Sequence, residues 1–156
     1  MRKFLDNISK FIASFFGIGF IPLMPGTFGS LAGAGIYYLL RNNEFIFYTL
    51  LFFLAVAGFM VSARAEIAFK KKDSRLIVID EVVGAMISFI AVPFNMLNLV
   101  IVFVLFRIFD VFKPYPIRLL EKAPAGFGVI LDDVAAGICA NIVFQVAFRL
   151  LLCKAV

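Results

Sequence analysis

The chain has no histidine, no tryptophan and only two cysteines, Cys139 and Cys153. Without histidine, phosphohistidine mechanisms are excluded. The cysteines fall within one apolar run, lack metal-ligand spacing and read as buried small hydrophobes. Neither supports a cysteine-dependent phosphatase, because Cys139 is followed by Phe144 and then Arg149 rather than by an arginine at the required spacing. No Asp-x-Asp-x-Thr stretch is present, which removes the aspartyl nucleophile of the haloacid dehalogenase type. Charge is scarce too, at 16% of residues.

What is abundant is apolar surface. Of 156 residues, 63% are hydrophobic and 21 are phenylalanine, and the mean hydropathy is +1.05. A soluble domain holds about half its residues as apolar, and a sphere this small cannot hide the excess from water. Lipid is therefore the solvent for much of the chain. The length suits one domain over residues 1–156. The start, "MRKFLDNISKFIASFFGIGFIPL", resembles a secretory signal in outline, but Asp6, Asn7 and Lys10 interrupt it and no small-x-small cleavage site follows. Residues 1–24 are expected to lie in the membrane interface, with Phe4, Leu5, Ile8, Phe11 and Ile12 on one face.

Apolar runs fall at about 28–40, 45–69, 82–92, 97–112 and 129–152. The second and last reach the length of about 20 residues that crosses a bilayer. As one helix, 82–112 would be about 45 Å long, too long for a hydrocarbon core of about 30 Å. Pro93, Asn95 and Asn98 in "VPFNMLN" instead predict a helical hairpin of two short arms. The expected fold is all-α: an integral membrane bundle with about four membrane helices, two of them short and forming the hairpin, plus the N-terminal amphipathic segment.

With that hairpin, Arg2, Lys3, Lys10, Arg64, Lys70, Lys71, Lys72, Arg75, Arg107, Lys113, Arg118 and Lys122 share one side. Only Arg41, Arg149 and Lys154 fall near the other, so the first side is expected to be cytoplasmic. This distribution accounts for the net charge of +5 without a nucleic-acid partner. Asp80, Glu81, Asp110, Asp132 and Asp133 then meet on the cytoplasmic side.

Each acidic pair alone could be a helix cap, since an acid in the first turn gains about 0.3–1 kcal/mol from the helix dipole. Asp110 fits that account poorly, near a helix C-terminus, and needs a cation such as Arg107 or Lys113 three residues away. Grouped, the acids must bind protons or a cation, and oxygen ligands without His or Cys suit Mg²⁺. Gly84 and Gly137 would let the acidic helix ends approach closely. "PGTFGS" sets Thr27 and Ser30 at a helix start as an anion site, while Gly29 and Gly33 equally fit close helix packing. Lys113 and Arg118 in "FKPYPIR" fit a phosphate site or a basic loop drawn to anionic lipid.

Together "PGTFGSLAG", "IDEVVGAMI", "FRIFDVFKPYPI" and "GFGVILDDVAAG", in this order across about residues 17–145, resemble the phosphatidylglycerophosphatase A family. The resemblance implies Mg²⁺-dependent conversion of phosphatidylglycerophosphate to phosphatidylglycerol and phosphate. It also implies a multi-pass helical protein of the bacterial inner membrane, its site facing the cytoplasm among membrane lipids. Asp80, Glu81, Asp110, Asp132 and Asp133 become metal and catalytic carboxylates; Thr27, Ser30, Arg107, Lys113 and Arg118 become phosphate contacts. An oligomer is compatible with the sequence. The alternatives are a cation-coupled transporter, expected to carry its acids near the midplane, and a structural scaffold. A CDP-alcohol phosphotransferase would need an Asp-Gly…Ala-Arg start and two Asp spaced four apart after a Gly, which this chain does not contain.

Overall fold

A computed structural model describes residues 2–69, 74–120 and 127–154, with backbone alone for residues 2 and 151–154. Lys70, Lys71, Lys72 and Lys122 lie outside the described residues, as do the side chains of Arg2, Cys153 and Lys154. Among the described residues there is no strand. The helices are α1 (Arg2–Ala13), α2 (Pro25–Leu40), α3 (Glu44–Phe69), α4 (Ile79–Ser88), α5 (Met96–Phe112), α6 (Ile117–Leu120) and α7 (Phe127–Lys154), with a 3₁₀ turn at Ile18–Phe20.

Local chemistry sets most of the boundaries. Pro25 opens α2, where its missing N–H costs nothing. Asn95 caps α5 by accepting from the Leu97 N–H at 2.9 Å. Lys113 ends α5 in the left-handed conformation, φ 42°, and its N–H donates to the Phe109 carbonyl. The next residue, Pro114, cannot continue the helix.

Two helices, α3 and α7, are long and apolar enough to cross a membrane. The expected bundle of about four membrane helices therefore holds in its coarser form, all-helical with two candidate spans. α2 and α5, of 16 and 17 residues, are shorter. Large apolar side chains stand exposed along these helices, including Leu39, Phe45, Phe52, Met60, Val104 and Ile142. A surface this apolar marks contact with lipid or partner.

α4 sits at the centre. Every residue from Ile79 to Ser88 is buried or half-buried, against α2, α3, α5 and α7. Its 10 residues rise only about 15 Å, half a bilayer core, so its last carbonyls would end in apolar surroundings. Two polar side chains of α7 meet them. Asn141 Nδ2 donates to the Ser88 and Ile90 carbonyls at 2.9 and 2.7 Å, and Gln145 Nε2 donates to the Ala91 carbonyl at 2.9 Å. The expected hairpin is present, with its turn at 89–95, but its first arm stops short of the run read from the sequence.

α1 lies against α3, joined by Arg64 Nε and Asp6 Oδ1 at 3.0 Å. Ser9 and Ala13 face inward, Ile12 packs on the core, and Phe4, Leu5, Ile8 and Phe11 remain exposed.

Candidate active site

The N-terminal ends of α2 and α4, Arg107 of α5, the 3₁₀ turn and residues 74–77 surround one cleft of about 620 Å³. Gly26, Thr27, Arg75, Asp80, Glu81 and Arg107 line it, and Phe20 and Met24 stand at its rim. α2 and α4 are held together by close backbone contact: a Cβ on Gly33 would lie 2.6 Å from the Val82 carbonyl oxygen. One on Gly29 would lie 3.0 Å from that of Val78. The Gly29–Gly33 pair therefore serves packing, while Thr27 on the neighbouring stripe reaches the cleft.

The same device brings the acids together. A Cβ on Gly84 would lie 2.6 Å from the Asp133 carbonyl oxygen, and Gly137 is pressed against the Gly84 carbonyl. These glycines follow Asp80 and Asp133 by four residues, one helical turn, so α4 and α7 touch just below the carboxylates. Asp80, Glu81 and Asp133 each offer an oxygen within 4.8 Å of the others. Asp110 stands close enough for its carboxyl to interact with that of Asp133.

The cap alternative fails for Asp132 and Asp133, because α7 starts at Phe127, more than a turn earlier. Asp80 and Glu81 do stand in the first turn of α4, where the helix dipole favours an acid, but α4 has no side-chain cap at Val78. Asp80 and Asp132 instead accept from the N–H of the next residue, Glu81 and Asp133, each at 3.1 Å.

Two of the five acids have a cation of the chain beside them. Arg107 pairs with Asp110, and Lys113 pairs with Asp132. Removing those two leaves Asp80, Glu81 and Asp133, the three that converge. Asp80 and Asp133 are each 4% exposed, and Glu81 Oε2 is buried without a hydrogen-bond partner among the described residues. Two unit charges at this separation repel by about 3–4 kcal/mol at an effective dielectric of 20. Such a group needs protons or a cation, and an oxygen-only donor set with an orphaned carboxylate oxygen fits a hard divalent ion.

The remaining expected contacts divide. Arg107 donates to Ser30 Oγ at 3.1 Å, and Ser30 donates to the Gly26 carbonyl at 2.8 Å. Ser30 is thereby occupied in holding Arg107. Lys113 and Arg118 do not line the cleft, and Arg118 is exposed on α6. Arg75, which sequence reasoning counted only toward sidedness, does line it. No motif marks Arg75, and only its basic neighbourhood hinted at a role.

A largely buried carboxylate cluster beside a guanidinium, at a cleft with apolar residues at its mouth, has the chemistry of a phosphoryl-transfer centre of the phosphatase class. Comparison with known proteins makes this specific. The sequence profile of phosphatidylglycerophosphatase A matches residues 11–148, and the chain belongs to that family. It is 34% identical over 140 residues to phosphatidylglycerophosphatase A of Escherichia coli, covering 88% of this chain and 81% of the relative. It is 39% identical over 145 residues to the Haemophilus influenzae protein of the same name, covering 89% and 88%. A Bacteroides thetaiotaomicron protein provisionally named phosphatidylinositol-3-phosphatase is 37% identical over 145 residues, covering 87% and 91%. No solved structure matches the chain. The transporter alternative gains no support, since the acids gather at one end of the bundle and the relatives carry phosphatase names.

Proposed function

We propose that the protein hydrolyses phosphatidylglycerophosphate to phosphatidylglycerol and inorganic phosphate. It does so with Mg²⁺, at the cytoplasmic face of a bacterial inner membrane, as a single multi-pass domain whose first 24 or so residues lie in the interface. The observation that carries this reading is the convergence of Asp80, Glu81 and Asp133, with one Glu81 oxygen left unpartnered, next to the cleft that Arg107 lines.

Asp80, Glu81 and Asp133 would hold the ion, with Asp110 and Asp132 completing the catalytic carboxylates. When bound, Mg²⁺ supplies charge neutralisation at the phosphoryl oxygens and lowers the pKa of water. Arg107 receives the terminal phosphate, its guanidinium aimed by Ser30 and Asp110. Thr27 offers a hydroxyl from the N-terminal end of α2, where the helix dipole favours an anion. Water gives its proton to a carboxylate of the cluster and attacks phosphorus in line; the bond to the glycerol oxygen breaks, and that oxygen takes up the proton from the cluster to become the hydroxyl of phosphatidylglycerol. Lys113 stabilises the cluster through Asp132, and Arg118 meets anionic headgroups outside the cleft.

The test is phosphate release from phosphatidylglycerophosphate by the purified protein in detergent. Asp80→Asn is expected to lower the rate at least about a hundredfold, within the range for losing one electrostatic catalytic group, with the protein still folded. Chelator is expected to abolish release, and Mg²⁺ at about 100 times its Kd to stabilise the fold by about 2.7 kcal/mol, read as a rise in Tm. Full release by Asp80→Asn overturns the site.

A further inference from the structure

Between α2 and α5, beyond the Ser30–Arg107 contact, lies an apolar groove of about 320 Å³, lined by Leu31, Ala34, Gly35, Tyr38, Met96 and Leu99. The groove lies farther along the same two helices that contribute Thr27 and Arg107 to the cleft. On α2, Thr27, Leu31, Ala34 and Tyr38 follow at steps of four, three and four residues, a single helical stripe. On α5, Leu99 and Met96 precede Arg107 by eight and eleven residues, two and three turns along the same side. The faces that bring Thr27 and Arg107 to the phosphate site thus bring these apolar side chains to the groove.

Gly35 is the residue that packing does not explain. Gly26, Gly29 and Gly33 each face atoms of another segment, whereas a Cβ on Gly35 would meet nothing within 4 Å. A glycine in a helix interior costs about 1 kcal/mol relative to alanine. The fold gains no close approach in exchange; what the missing side chain leaves is the groove. Its far end is bounded by Tyr38, whose ring lies 5.7 Å from that of Phe94 and under the Arg41 guanidinium at 4.4 Å. From Leu31 to Tyr38 the groove runs about 10 Å along the helix.

We propose that this groove holds one acyl chain of the phospholipid whose headgroup occupies the cleft, with Gly35 as the residue that keeps it open. The proposal rests on the lipid phosphatase reading. Because surrounding lipid is as apolar as the groove, the gain is not hydrophobic transfer. It is orientation: a tail fixed between α2 and α5 sets the direction from which the phosphate enters.

Phosphate release would be measured with long-chain and dihexanoyl phosphatidylglycerophosphate in mixed micelles. Gly35→Phe, which fills the groove, is expected to raise KM for the long-chain lipid about tenfold, equivalent to about 1.4 kcal/mol. The KM for the short-chain lipid should move far less, so the ratio of the two is independent of the folded fraction. Val56→Phe, on the exposed face of α3, is expected to leave the ratio where it was. An unchanged ratio in Gly35→Phe overturns the proposal. A second readout needs no turnover: phosphatidylglycerol with a diazirine near the end of one acyl chain should label 31–38 and 96–99, and lose that labelling in Gly35→Phe. Equal labelling of both proteins means surrounding lipid only, and overturns the groove. Groove-dependent labelling by a wild-type protein that releases no phosphate supports the groove and overturns the catalytic reading instead.

Discussion

Arg107 has three partners at once: the Asp110 carboxylate, the Ser30 hydroxyl and the open cleft. Ser30 Oγ is fully buried and accepts from a charged donor, a bond worth about 1.5–3 kcal/mol. Ser30→Ala is therefore expected to lower kcat/KM by about ten- to a hundredfold, that energy expressed as a rate factor. Adding Mg²⁺ should not restore it. Lys113 is different in kind, because it neutralises Asp132, which is 2% exposed. Lys113→Met leaves that carboxylate buried and uncompensated, and is expected to lower stability by about 1–3 kcal/mol. Thermal unfolding in detergent checks this, and Asp132→Asn in the same chain should recover most of the loss. All five acids were legible in the sequence because acids are rare within apolar runs. The pairing of Asp110 with a neighbouring cation was legible too, and Arg107 supplies it; that Lys113 would take Asp132 and leave three acids to converge was not, since it depends on which helix end that cation reaches.

At the scale of elements, α4 determines whether the site exists, and its length was the feature least visible in the sequence. Pro93 and Asn95 announced the turn, yet the apolar run from Val82 to Val92 gives no sign of stopping at Ser88. The helix ends there because Ala91 takes a left-handed conformation, φ 54°, and because Asn141 and Gln145, some fifty residues later, accept the task of satisfying its carbonyls. In the sequence those two residues were simply polar interruptions of α7. Asn141→Leu would leave the Ser88 and Ile90 carbonyls without that donor, a cost of about 1–3 kcal/mol for an unsatisfied buried group, readable as a lower Tm. The opposite end of α4 is sensitive to volume rather than to hydrogen bonding. Gly84→Val would drive a side chain into the Asp133 backbone and the Phe106 ring, separating α4 from α7. The expected result is loss of phosphate release together with loss of stabilisation by Mg²⁺, because the three carboxylates no longer share one point. Retained stabilisation by the ion would show that α7 is not needed to hold it.

For the whole molecule, the direction of each helix has one consequence that can be tested without substrate. α2 begins beside the acids and ends at Arg41; α3 returns; α4 begins at the acids and stops midway; α5 comes back from the hairpin turn to Arg107 and Asp110. Contacts at the far end agree with this course, since Tyr37 donates to the Val92 carbonyl at 2.8 Å and Arg41 lies over the Phe94 ring at 4.8 Å. Asp80, Asp110 and Asp133 are therefore on one side, and the 89–95 turn is on the other. Lys10, Arg64, Arg75, Arg107, Lys113 and Arg118 lie toward the acidic end, whereas Arg41 and Arg149 lie toward the far end, the distribution that the proposed cytoplasmic site requires under the rule that cytoplasmic segments carry the positive excess. Single cysteines at Phe94 and at Arg118, in a chain whose Cys139 and Cys153 are replaced by serine, test this directly. In intact cells a membrane-impermeant maleimide is expected to modify Phe94→Cys, and Arg118→Cys only after the inner membrane is opened. The reverse pattern would place phosphate release outside the cell. Labelling of both from the same side would mean that α5 does not return across the bilayer. Asp110 could then not stand beside Asp133, as it does in the fold, within the membrane.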